Sequence, residues 1–183
     1  EMQAQGYRVA RSWEKAGALP SGKTLVVAAP GNLPPPSKRG DVFRQAAVKA
    51  LDTLSRNPNG FFLMIEGSNI DKAAHSNNLE EMMEELLDFD RTAGAVLDWA
   101  SKHPGTLVVI TADHNTGAFA LTGGSREQGE ITGRFGSGSH DGVAVPVYAF
   151  GAGSGDFTGI YENTDIFNKI MNAFKKGADK PVR

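Results

Sequence analysis

Hydrophobic residues along this chain fall into two alternating patterns. Four short continuous apolar runs, at 24–29, 61–65, 106–111 and 145–150, have the length and residue type of buried strands, and turn-forming residues adjoin them. Between them the apolar residues recur at three- and four-residue spacing. Over 41–56, Val42, Phe43, Ala46, Ala47, Ala50, Leu51 and Leu54 make a helical stripe that the run NPNG at 57–60 stops. A long helix is predicted over 78–102, with Leu79, Met82, Met83, Leu86, Leu87, Val96, Leu97 and Trp99 inward and the acidic positions outward. A last helix is predicted over 164–175, with Ile166, Phe167, Ile170, Met171 and Phe174 on one face. Strands separated by helices predict an α/β fold with a largely parallel sheet flanked by helices. Residues 1–183 read as one domain, or one large portion of one.

Composition narrows the function classes. With 183 residues and 40% hydrophobic content, the chain can bury a real core. A net charge of -2 and a pI near 6.1 argue against nucleic acid or an anionic membrane as the main partner. No apolar run reaches the length of a membrane span, and the first residues show no signal-peptide pattern. The absence of cysteine removes disulfides, thiolate nucleophiles and Cys-zinc sites together.

The candidate chemistry lies in three segments: EGSNIDKAAH (66–75), ADH (112–114) and SHDG (139–142). Two of them follow predicted strands and the third precedes one, and open α/β sheets collect ligands at the carboxyl ends of strands. Asp71 and His75 stand four residues apart, so a helical turn brings both side chains to one face. Asp113 and His114 can reach one centre only from an irregular turn, because neighbours in a regular strand point oppositely. Histidine nitrogen with carboxylate oxygen and no sulfur is the ligand mix of catalytic zinc. A second ion a few ångströms away would suit phosphoryl transfer.

Each segment also has a plainer reading. Asp71 and His75 equally suit a surface ion pair on a helix, and Asp113 a turn that caps backbone amides. His140, flanked by Ser139, Asp141 and Gly142, suits a solvated loop. His103, at a predicted helix C-terminus, is explained by the helix dipole and receives no function. The acidic run at 80–85 reads as a solvated helix face. The glycines of 151–155 lack the residues that complete a phosphate loop.

Taken together the segments resemble the alkaline phosphatase family. GFFLMIEG (60–67) followed by IDKAAH (70–75) resembles the family's central metal-binding segment, and TADHNTG (111–117) the next one. HDGVAVPVYAFG (140–151) resembles the third, and DFTGIYENTDIF (156–167) the stretch that closes the core. The resemblance implies a partial alkaline-phosphatase-like core and a phosphomonoester hydrolase using two zinc ions, one magnesium ion and a phosphoserine intermediate. It implies Asp71, His75 and His140 as ligands of the first zinc, Asp113 and His114 of the second, and Glu66 of magnesium. It implies Lys72 as a residue that helps hold phosphate through water. It also implies a phosphomonoester or inorganic phosphate as ligand and a periplasmic or otherwise extracytoplasmic setting.

The departures shape the expectation further. The family's serine nucleophile, its metal-bridging Asp and its phosphate-gripping Arg have no counterpart here; Ser68 lies inside the 66–71 segment, where the family has no nucleophile. The chain is therefore expected to be the C-terminal, metal-holding portion of a phosphatase, inactive alone, with the missing N-terminal half as its partner. A sheet without its flanking strands is expected to dimerise, aggregate or keep that half bound. The alternatives are a phosphodiesterase-type or phosphonate-hydrolysing relative, and a non-catalytic metal-binding or interaction domain.

Overall fold

The computed structural model describes residues 1–16 and 22–178. They form two compact units: residues 1–70 with 80–92, and residues 71–79 with those from 93 onward.

In the first unit, strand β1 (Arg8–Ala10) pairs in parallel with β2 (Thr24–Val26), Val9 facing Leu25. The short helix α1 (Trp13–Ala16) follows β1, and α2 (Pro36–Arg39) begins on a proline, whose fixed φ and missing N–H suit a first turn. Helix α3 (Val42–Leu54) falls where the stripe predicts it, with Ala47 and Leu51 buried. Phe43 of α3 stacks with Phe89 at 6.3 Å between ring centroids.

The run 61–65 takes an unexpected form. It is not a strand, although its burial alternates strictly, Phe61, Leu63 and Ile65 half-buried, Phe62 and Met64 62% and 73% exposed. That is the period of a strand, yet it pairs with none of the described strands. At its end Gly67 is required by packing, since a Cβ there would stand 2.8 Å from Cδ2 of Phe89.

Two helices are shared between the units: α4 (Ser68–His75) and α5 (Leu79–Ser101). The end of α4 is closed by backbone bonds, with the Ser76 hydroxyl donating to the Lys72 carbonyl at 3.1 Å. Asn77 adopts a left-handed φ of 53°, its N–H bonds to the Ala74 carbonyl at 3.0 Å, and the Asn78 N–H bonds to the Ala73 carbonyl at 3.0 Å. This paired closure satisfies carbonyls that the helix end would otherwise leave open.

Helix α5 corrects the expectation of an acidic outer face. Glu85 and Asp88 are buried, while Leu86 and Leu87 are 42% and 51% exposed. The reason lies in α2: Arg39 donates to both oxygens of Glu85, at 2.9 and 2.7 Å, and to Asp88 Oδ2 at 2.6 Å. Burial pushes the Arg39 guanidinium down, but its hydrogen bonds and charge pairing with the two carboxylates outweigh this and hold it above its usual range.

In the second unit, β3 (Leu107–Ile110) pairs antiparallel with the later strand 148–151. Short β4 (Asn115–Thr116) pairs antiparallel with residues 140–141, and β5 (Ala120–Ser125) forms a hairpin with β6 (Glu130–Arg134). The two remaining strands are thus β7 (His140–Asp141) and β8 (Tyr148–Gly151). Helix α6 (Asp165–Ala178) closes the described chain, and Phe167, Met171 and Phe174 of its apolar stripe are exposed.

Helices and strands alternate as an α/β chain requires, but the largely parallel sheet does not form among the described residues. One pair, β1 with β2, is parallel, and the other three are antiparallel. The run 61–65, which its continuous apolar residues mark as a sheet strand, adds no strand to these pairs among the described residues.

Candidate metal centre

The second unit carries Asp71, His75, Asp113, His114 and His140, placed by a helix, a turn and a short strand. The helical geometry of α4 puts Asp71 and His75 on one face, with His75 Nε2 3.4 Å from Asp71 Oδ1. His140 opens β7, and its Nε2 lies 3.0 Å from His75 Nε2 and 3.6 Å from Asp71 Oδ1. Three donor atoms therefore form a triangle with edges of 3.0, 3.4 and 3.6 Å. Ligands about 2.0–2.1 Å from a tetrahedral zinc ion would be separated by about 3.3–3.4 Å. Asp71, His114 and His140 also form a group whose ligand atoms lie within 4.8 Å of one another.

The tautomer of His75 supports this fit. Its Nδ1 lies 2.8 Å from the Gly138 carbonyl, an acceptor only, so Nδ1 carries the proton there. The neutral ring then presents a lone pair at Nε2, toward the other two donors. A histidine pinned through one nitrogen and free at the other is the usual arrangement of a metal ligand.

Asp113 and His114 occupy the irregular turn between β3 and β4, as their adjacency requires. His114 Nε2 lies 3.2 Å from Asp113 Oδ2, and its ring stacks on that of His140 at 3.5 Å. Asp113 is 86% exposed and His114 27%. Glu66 belongs to the first unit, where it is exposed at the end of the run 61–66, and Lys72 is exposed on α4.

Sequence reasoning missed the residues that hold these groups. The buried Thr116 hydroxyl donates to Asp71 Oδ1 at 2.6 Å and lies 3.1 Å from His114 Nδ1. It thus links a carboxylate of α4 to a histidine of the following segment. Asp141 accepts from Asn115 Nδ2 at 2.9 Å and from the backbone N–H groups of Ala118 and Val143 at 2.9 and 3.1 Å. The Val143 N–H, then the Asn115 amide, then the Ala118 N–H hold this carboxyl below the usual range. Asp141 therefore fixes the loop pair that carries His114 and His140. Gly117 permits the close turn between them: φ is 80°, and a Cβ there would meet Phe135 at 2.8 Å and the Ala74 carbonyl at 3.1 Å. A polar residue two positions beyond a histidine was the available signal for Thr116, but it cannot be told from an ordinary strand threonine.

The plainer reading of His103 agrees with its surroundings. Its Nδ1 lies 2.7 Å from the Trp99 carbonyl at the end of α5, and its ring stacks on Trp99 at 3.6 Å.

Comparison with known proteins places this geometry. The family model for alkaline phosphatase matches residues 32–133, more than half of the chain, including Glu66, Asp71, His75, Asp113 and His114. Alkaline phosphatase 4 of Bacillus subtilis is 29% identical over 73% of this chain and 44% of its own length. Streptomycin-6-phosphate phosphatase of Streptomyces griseus is 30% identical over 94% of this chain and 49% of its own. A mutant of TAB5 alkaline phosphatase, with magnesium bound in its M3 site, superposes with a TM-score of 0.82 at 32% identity over 94% of this chain and 54% of that one. The chain spans about half the length of these relatives. With a histidine–carboxylate cluster on segments of matching sequence and a matching fold, the chain belongs to the alkaline phosphatase family.

Proposed function

We propose that residues 1–183 are the metal-holding portion of a single alkaline-phosphatase-like domain that hydrolyses phosphomonoesters in an extracytoplasmic setting. The donor triangle of Asp71, His75 and His140 carries this reading, because its edges suit one tetrahedral ion and its central histidine is already committed at Nδ1. These three residues would hold the first zinc. Asp113 and His114 would contribute to a second, and Glu66 to magnesium, whose preference is for oxygen. Bound zinc supplies Lewis acidity and lowers the pKa of water.

The chain's own residues do the rest. Asp71 and His75 present their donors from one helical face, and His140 closes the set from β7. Thr116 orients Asp71 and His114 toward each other. Lys72, one residue from Asp71, would hold phosphate through water. The serine that is phosphorylated in turnover belongs to sequence beyond these residues, as do the strands that would flank 61–65. The alternating burial of that run, with Phe62 and Met64 exposed, supports such a complement.

Metal analysis and an aryl phosphate assay test this reading, on this chain and on a longer chain carrying the upstream serine. Zinc bound by the short chain, with hydrolysis by the long one alone, is the expected result. A long chain that binds zinc but leaves the ester intact would favour a non-catalytic metal-binding domain, and a preference for aryl diesters would favour the diesterase-type relative.

The orienting role of Thr116 has its own measurement. Thr116→Val keeps the shape of the side chain and removes its hydroxyl. Outer-shell partners of this kind are worth about 10–100-fold in metal affinity, so zinc titration of Thr116→Val should show a loss in that range. An unchanged affinity would make Thr116 a packing residue.

A further inference from the structure

The buried charge cluster of the first unit is not part of the metal centre, yet one of its members stands in the helix that carries Asp71 and His75. Arg39, Glu85 and Asp88 have side-chain exposures of 5%, 4% and 4%. Glu85 Oε1 accepts from Arg39 Nη1 at 2.9 Å and also from Asn69 Nδ2 at 3.1 Å. Asn69 Nδ2 donates in addition to the Leu33 carbonyl at 3.3 Å. Arg39 Nη1 in turn reaches the Pro34 carbonyl at 2.8 Å. One carboxylate oxygen and two carbonyls of the proline-rich loop thus converge on a guanidinium and an amide.

Helix α4 needs such support. It has eight residues, below the about 12–15 at which isolated helices become stable in water. The residue before it, Gly67, has no side chain with which to cap the first turn. Its last turn is closed by the backbone bonds of Asn77 and Asn78, so the first turn is its weak end. Asp71 stands two residues after Asn69, and its pairing with His75 exists only while the intervening turn is helical.

We propose that Arg39, Glu85, Asp88 and Asn69 form a clasp that keeps the first turn of α4 wound and so presets Asp71 against His75 for metal, with Asn69 as the positioning residue. The inference rests on the metal-centre reading given above. Arg39 holds Glu85 in place, Glu85 holds the Asn69 amide, and Asn69 holds the turn. Metal then binds donors that are already registered, without first having to wind the helix.

Two variants separate this role from plain stability. Asn69→Ala removes both amide donations. Leu51→Ala removes buried apolar packing from α3 of the same unit and leaves the four clasp residues in place. Cobalt(II) titration, followed by its d–d absorption, and hydrogen exchange of the α4 amides in metal-free protein are read for all three proteins. Asn69→Ala should bind cobalt about 10-fold more weakly or worse, with faster exchange at 71–75. Leu51→Ala should melt earlier but bind cobalt within about threefold of the unsubstituted chain. Unchanged cobalt affinity and exchange in Asn69→Ala overturn the clasp. So does a loss of affinity that follows melting temperature across both variants. If the unsubstituted chain binds no cobalt, the metal-centre reading fails and the preset with it, whereas faster exchange in Asn69→Ala would still locate the clasp's hold on α4.

Discussion

His75→Ala is expected to strip the chain of the ion held by Asp71, His75 and His140. The side chain supplies one corner of the donor triangle, so its loss leaves Asp71 and His140, with His114 within 4.8 Å of them, to compete against water for the ion. Loss of an outer-shell partner already costs about 10–100-fold in affinity, so loss of a direct ligand should exceed a hundredfold or so. Measured after dialysis against trace zinc, the unsubstituted chain retains metal and His75→Ala does not. His103→Ala serves as the control, because its ring is committed to the Trp99 carbonyl and indole. Retention of zinc by His75→Ala would mean that Asp71, His114 and His140, whose ligand atoms lie within 4.8 Å of one another, hold the ion without His75. The fold should survive, since His75 is exposed at the end of α4 and the closure that follows it is made by backbone groups.

How much of this was legible in the sequence depends on what each residue's placement requires. Helices α3, α5 and α6 begin and end within a few residues of the limits their periodicity predicts, because apolar spacing and terminating residues act locally. The apolar run at 61–65 predicted a strand that is not among the described ones, since pairing belongs to whatever lies beside a strand and not to the run itself. The meeting of Asp71 with His75 follows from their spacing. Their meeting with His140 depends on β4 pairing with β7, a ladder of two residues that no hydrophobic pattern announces. Thr116, Asp141 and Gly138 act through a hydroxyl, a carboxylate and a backbone carbonyl whose significance appears only with their partners. Glu85 was misread for a related reason. A glutamate in an acidic run is ordinarily solvated, and nothing near it in sequence shows that Arg39, forty-six residues earlier, reaches both of its oxygens.

Arg39→Met should be the most destabilising single change in the first unit. The guanidinium serves two carboxylates at once, Glu85 and Asp88, both with side chains 4% exposed. Methionine has a similar apolar stem, so little packing is lost. What remains is a pair of buried negative charges three residues apart on one helix, with Arg91 as a partner for Asp88 at 3.3 Å and itself 59% exposed. Removing one partner of a buried pair costs about 3–5 kcal/mol, mostly the penalty of the charge left behind. That is a large share of the stability of an ordinary domain, about 5–15 kcal/mol. The guanidinium lies over the Phe43 ring at 5.9 Å, a contact that a sulfur–aromatic contact of the methionine would replace in part. Denaturant titration of Arg39→Met should show a midpoint shift equivalent to several kcal/mol. Arg39→Met combined with Glu85→Gln and Asp88→Asn should recover part of it, because the uncompensated charge is then gone. A single variant as stable as the parent would show that water reaches the two carboxylates and that their burial carries no penalty. Failure of the triple variant to recover would instead assign the loss to the hydrogen bonds Arg39 makes to Glu85 and to the Pro34 carbonyl, and to packing rather than charge. The outcome also bears on the metal centre, since Glu85 holds the Asn69 amide at the start of the helix that carries Asp71 and His75.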